Sequence, residues 1–110
     1  LNVEYNTKKL AKSVGNLKLI GKNYGSRAKK VNQRLEDLKS SPDLEVFKIV
    51  CPSCHPLKGD RLGEFAVEIS GNHRIIFRIN QQPVPTDDKN QILFSKVTSI
   101  TIMSIGEDYH

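Results

Sequence analysis

The chain has 110 residues, of which 37% are hydrophobic and 26% charged, and it carries a net charge of +5. That length suits one domain spanning 1–110, and the apolar content supports a packed core and argues against disorder. No apolar run approaches the roughly 20 residues of a membrane span, and the basic excess favours an anionic partner: nucleic acid, an acidic protein or a phosphate ligand. The start, LNVEYNTKKLAK, is polar and mixed, and there are only two cysteines. With no signal-peptide pattern, a cytoplasmic protein with reduced thiols is expected.

Asn2–Asn6 predicts a short edge strand, and residues 7–14 a short helix capped by Asn6 or Thr7. Leu17, Ile20, Tyr24, Ala28, Val31, Leu35 and Leu38 then recur at spacings of 3, 4, 4, 3, 4 and 3. This is one apolar stripe and predicts one helix over 16–39, with Gly21 and Gly25 off the stripe. Lys18, Lys22, Arg27, Lys29, Lys30 and Arg34 also lie off it, as a solvated charged face would. Pro42 in SSPD ends the helix.

Beyond it the period changes to two. EFAVEIS, 64–70, sets Phe65, Val67 and Ile69 against Ala66, Glu68 and Ser70. SGNH marks a turn. HRIIFRI, 73–79, returns with Arg74, Ile76 and Arg78 on one face and Ile75, Phe77 and Ile79 on the other. Residues 81–91 hold two prolines and read as a loop. Residues 95–106 predict a third strand, apolar on both faces and therefore central. The expected fold class is α+β: N-terminal helices packed on one face of a small, mainly antiparallel sheet.

CPSCH, 51–55, has the form of a c-type haem attachment signature and of half a zinc site. Haem attachment requires export and a second axial ligand, and the one methionine, Met103, falls mid-strand. Zinc requires four ligands, whereas His73 and His110 are single and distant. A redox dithiol opens a helix after a strand, and Pro56 follows here. Both cysteines are therefore expected to be ordinary small side chains in a loop, with no metal and no cofactor.

Three blocks carry a resemblance. HPLKGDR begins at His55, GNHR leads into the strand at Arg74, and EDYH closes the sequence. Together, in this order, they resemble the HigB-type toxins (plasmid maintenance killer proteins) of the RelE/ParE superfamily, and the likeness covers nearly the whole chain. It implies a RelE/ParE-like toxin of a type II toxin-antitoxin system: a ribosome-dependent endoribonuclease that cuts messenger RNA in the decoding site. It also implies a HigA-type helix-turn-helix antitoxin as partner. The implied catalytic residues are His55, Lys58, Arg74 and Tyr109, with His110 in support. Arg61 and Arg78 are expected to contact RNA.

These residue types suit the chemistry. Attack by the 2′-OH requires a base, cations for the phosphorane charge and an acid for the leaving 5′-oxygen. The sequence has no compact carboxylate cluster of the kind a two-metal nuclease uses. Phe65 stands where many members have Trp, and the 80–91 loop is long for a minimal toxin. The alternative within the superfamily is a ParE-like gyrase inhibitor, or a relic that only binds its antitoxin.

Overall fold

The computed structural model describes residues 1–57 and 63–108. Among the described residues eleven elements follow one another: β1 (Asn2–Tyr5), α1 (Lys8–Ser13), α2 (Leu17–Tyr24), a 3-10 turn (Gly25–Arg27), α3 (Ala28–Ser40), α4 (Leu44–Val50), β2 (His55–Pro56), β3 (Glu64–Ser70), β4 (His73–Ile79), a second 3-10 turn (Phe94–Lys96) and β5 (Ser99–Asp108). The five strands form one sheet in the order β1-β5-β4-β3-β2. All neighbours are antiparallel except β1 and β5, which run parallel. The α+β class and the helices-on-one-face arrangement expected from the sequence are both present.

The core lies between the helices and one sheet face. Ile20, Val31, Leu35, Leu38, Leu44 and Phe47 supply the helical side. Phe65, Val67, Ile69, Ile75, Phe77, Ile79, Ile100 and Ile102 supply the sheet side. These strand residues are the alternate positions that period-two patterning assigns to one face. The aromatic centre is Phe77, stacked on Phe65 at 5.5 Å and 15° and met edge-on by Phe47 at 6.3 Å.

The single helix expected over 16–39 is instead two. Gly25, at φ +53°, ends α2, and the 3-10 turn reorients the chain before α3 begins. A side chain at that φ is strained, so glycine is what permits the break. The apolar spacing misled because each helix presents its own buried side and the two join in phase across the turn. Leu17, at the start of the stripe, is 71% exposed.

Residues 44–50, read from sequence as lying within the period-two half, form a helix. Asp43 is its N-cap, its carboxylate accepting from the Val46 amide at 2.9 Å, and Leu44 and Phe47 face the core. Two further shifts are small. β5 begins at Ser99 rather than 95, because the second 3-10 turn occupies Phe94–Lys96. Its place is interior, between β1 and β4. Residues 81–91 are largely irregular, with one bridge, Thr86 to Ile92.

Register shifts at Ile69 in β3 and at Met103 and Gly106 in β5 keep the strand faces sorted. Ser70 pairs with His73, yet Glu68 pairs with Arg74. A bulge at Ile69 absorbs the difference. Without it Arg74 would face Ile69, and one face would mix core and charge. Gly106, at φ +87°, provides the corresponding bulge in β5, between the pairs Arg74–Glu107 and Ile75–Ile105.

Leu35 is 2% exposed at the centre of α3. Leu35→Asp places an uncompensated carboxylate in the core and is expected to cost several kcal/mol. Thermal unfolding monitored by circular dichroism checks this, and an unchanged melting temperature would contradict the packing described. Gly106→Ala meets no atom within 4 Å, so only the backbone conformation opposes it. A loss of about 1–2 kcal/mol is expected in the same assay.

Candidate active site

The sheet face turned away from the helices is built by the positions the core does not use. In an antiparallel sheet, residues directly opposite share a face. His55 pairs with Ala66, Ala66 with Ile76, and Ile76 with Ser104, giving one row across four strands. Glu68 pairs with Arg74 in the next row, and Glu64 with Arg78 in the row on the other side. The result is an apolar floor, Ala66 and Ile76, both fully buried, flanked by His55, two arginines and two glutamates. Charged groups above such a floor interact in a medium less screened than open water.

His55 is held in place by the segment before it. α4 ends with Cys51 as its C-cap, the Cys51 amide donating to the Phe47 carbonyl at 2.8 Å. A tight turn follows, in which the Cys54 amide donates to the Cys51 carbonyl at 3.0 Å. Both thiols are free and buried in the core. Both cysteines are small side chains in irregular chain, as expected, and they are also core members: CPSCH buries the pair while its backbone delivers an exposed histidine to the sheet edge. Burial pushes the Cys54 thiol up to about 12, with Cys51 adding to the rise and Lys48 opposing it. His55 Nδ1 lies 3.2 Å from the Pro56 carbonyl. Pro56 suits β2, the outermost strand, since an edge position tolerates a residue with no amide to donate.

Arg74 and Arg78 come from β4, set by the two-residue turn Gly71-Asn72. Gly71, at φ +53°, occupies the first central position, as a II′ hairpin turn demands. From His55 to Arg74 is two strand spacings across and two residues along. The Cα separation is about 12 Å by ideal sheet geometry, a span that lets the two side chains approach one phosphodiester from two sides. At the other end of β4, Arg78 stands in line with Thr101 of β5.

His55, Arg74 and Arg78 are thus on one face. Lys58, Arg61, Tyr109 and His110 lie outside the described residues. Among the described residues no three His, Cys, Asp or Glu side chains cluster closely enough to hold a metal ion. Sequence reasoning passed over Glu64 and Glu68 as site residues. The hairpin register that sets them opposite Arg78 and Arg74 could have been found from SGNH and the two alternating strands, but only by allowing the bulge at Ile69. Ser104 Oγ, in the His55 row, is buried and makes no hydrogen bond among the described residues.

The native Cys54 thiol is expected to resist alkylation by iodoacetamide at pH 8, because the reactive thiolate is suppressed and the group is covered. Denaturation should expose both cysteines. Mass spectrometry of labelled native and unfolded protein distinguishes the cases, and rapid native labelling of Cys54 would contradict its burial.

No family model matches the chain, and no curated protein matches its sequence. A solved structure does: a YoeB/ParE toxin from Agrobacterium tumefaciens, with a TM-score of 0.55 and 14% sequence identity, covering 99% of this chain and 100% of that one. No helix of the described residues is long and apolar enough to cross a membrane. The helical layer, the mixed five-stranded sheet and the charged open face are therefore arranged in the fold of a YoeB/ParE toxin.

Proposed function

We propose that the chain is a single-domain, cytoplasmic toxin of a type II toxin-antitoxin system and acts as a ribosome-dependent endoribonuclease on messenger RNA. The observation that carries this reading is the placement of His55 and Arg74 on one open sheet face, in a chain with the fold of a YoeB/ParE toxin. The HigB-type motif blocks supply the finer assignment.

In this mechanism His55 takes the proton from the 2′-OH, and the 2′-oxygen attacks the adjacent phosphorus. Arg74 and Lys58 neutralise the charge that builds on the non-bridging oxygens. The bond to the 5′-oxygen breaks, that oxygen accepts a proton from Lys58 or His110, and a 2′,3′-cyclic phosphate and a 5′-hydroxyl remain. Tyr109 stacks on or orients the nucleotide, as exposed aromatic side chains do with unstacked RNA bases. Arg61 and Arg78 contact the RNA backbone. The chemistry runs on these side chains alone, with no cofactor. A HigA-type helix-turn-helix antitoxin holds the toxin inactive.

A second reading, a ParE-like gyrase inhibitor, is kept because the structural neighbour's description joins both branches. The set His55, Lys58, Arg74 and Tyr109 favours the nuclease. Single-turnover cleavage of a message programmed into the decoding site tests the choice. Arg74→Ala and Tyr109→Phe are each expected to lose roughly 10²-fold or more in rate, the usual scale for an acid–base or charge-stabilising group, while circular dichroism stays native. Lys58→Ala should behave alike, and His55→Ala more mildly if Lys58 or His110 substitutes. Near wild-type cutting by both folded Arg74 and Tyr109 variants would end the nuclease assignment. DNA breaks with intact messages in expressing cells would move it to the gyrase branch.

A further inference from the structure

Glu68 lies on the open face, yet the mechanism above gives it no part. It stands opposite Arg74 in the β3–β4 ladder, so the two Cα atoms are about 5 Å apart. From His55 it is one strand across and two residues along, about 8 Å by ideal sheet geometry. Glu68 therefore sits between the residue assigned to the 2′-OH proton and the residue assigned to the phosphate.

A glutamate directly across from an arginine ordinarily pairs with it. Among the described residues the Glu68 side chain is exposed, accepts no hydrogen bond and joins no ion pair. Glu64, in the row of Arg78, does have a partner. The Glu68 backbone, by contrast, is tied to the helical layer. Its carbonyl accepts from Arg34 Nε at 3.4 Å, and the Arg34 guanidinium in turn reaches Asp37 at 3.6 Å. The bulge at Ile69 follows at once. β3 thus presents an unused acceptor, on a held backbone, inside the candidate site.

We propose that Glu68 reads the base of the nucleotide whose 3′-phosphate Arg74 holds, and that the base it selects is guanine. The inference rests on the nuclease reading, which fixes what else is near. A carboxylate accepts hydrogen bonds and donates none. Within an RNA chain the donors are the 2′-OH, whose proton goes to His55, and the N–H groups of the base. Guanine turns two parallel N–H groups, at N1 and N2, toward the two carboxylate oxygens, the bidentate match that makes charge-assisted pairs strong. Adenine and cytosine offer one amino group beside a ring nitrogen that repels a carboxylate. Uracil offers one N–H between two carbonyls. The neighbours of Glu68 on this face, Ala66 and Ile76, carry no polar side-chain group to compete.

The test is an NMR titration of the isotope-labelled full chain with the 3′-phosphates of guanosine, inosine, adenosine and uridine. These carry the phosphate beside the base and need no cleavage. Inosine differs from guanosine only in lacking the N2 amino group. The wild-type chain is expected to bind the guanosine compound about tenfold more tightly than the inosine compound, the scale of one bidentate base contact. Glu68→Ala should erase that difference without weakening the uridine compound. Glu68→Gln, whose amide both donates and accepts, should favour adenosine. Glu68 is exposed, so both variants should fold, and circular dichroism verifies it. Equal wild-type affinities for guanosine and inosine, no saturable binding, or a guanosine preference that survives Glu68→Ala would each overturn the proposal. Single-turnover cleavage separates the two readings. If no message is cut, the nuclease reading falls and the titration still decides this one. If messages with guanine and with inosine at that position are cut alike, this one falls alone.

Discussion

The stacking of Phe65 on Phe77, rings 5.5 Å apart and nearly parallel, is the contact on which the rest depends. The two are cross-strand partners in β3 and β4. Locking them together fixes the hairpin register, and the register decides which side chains leave the core. Phe47 packs edge-on against Phe77 and brings in α4. Phe94 packs edge-on against Phe65 and brings in the second 3-10 turn, with the Lys48 ammonium 3.8 Å from the Phe94 ring centre. Aromatic pairs of this kind add about 0.5–1.5 kcal/mol beyond the area they bury. Their larger effect here is geometric. A slip of one residue between β3 and β4 would turn one strand over against the other, setting charged side chains of one beside core side chains of its partner.

The same alternation explains how so small a protein supports both a core and a site. Each strand residue belongs to one or the other, and bulges at Ile69, Met103 and Gly106 correct the count where local sequence would mix them. The site is thus a by-product of core packing: Ala66 and Ile76 are its floor because Phe65 and Phe77, their neighbours in sequence, are anchors on the other side. His55 reaches that face by a different route, through a turn whose two cysteines are core members. The polar site and the cysteine pair are joined in one short stretch because the backbone can bury one residue and present the next.

Much of this was legible in the sequence, for identifiable reasons. The strands 64–70 and 73–79 were read residue for residue because period-two alternation is strong where one face is buried and the other charged. Arg74 and Arg78 were placed on one face by the same rule. Where the reading failed, a local backbone event outweighed the pattern. Gly25 broke a helix whose apolar spacing ran on unbroken across it. Asp43 started a seven-residue helix too short to display a period of its own. Glu64 and Glu68 were passed over because their relation to the arginines depends on a bulge, which inserts one residue without any composition of its own at Ile69. The cysteines read as small loop side chains, and their burial in the core is what spacing alone does not reveal.

The parallel pairing of β1 with β5 has a temporal meaning. Asn2 and Ser99 are joined by a hydrogen bond 97 residues apart in sequence, and β1 has no other strand beside it. During synthesis β1 therefore waits, unpaired, until β5 has left the ribosome, while β4 lacks its second neighbour for as long. Closure over such a separation is slow and comes late. A nascent chain of this design completes its sheet, and with it the open face, only after elongation through β5.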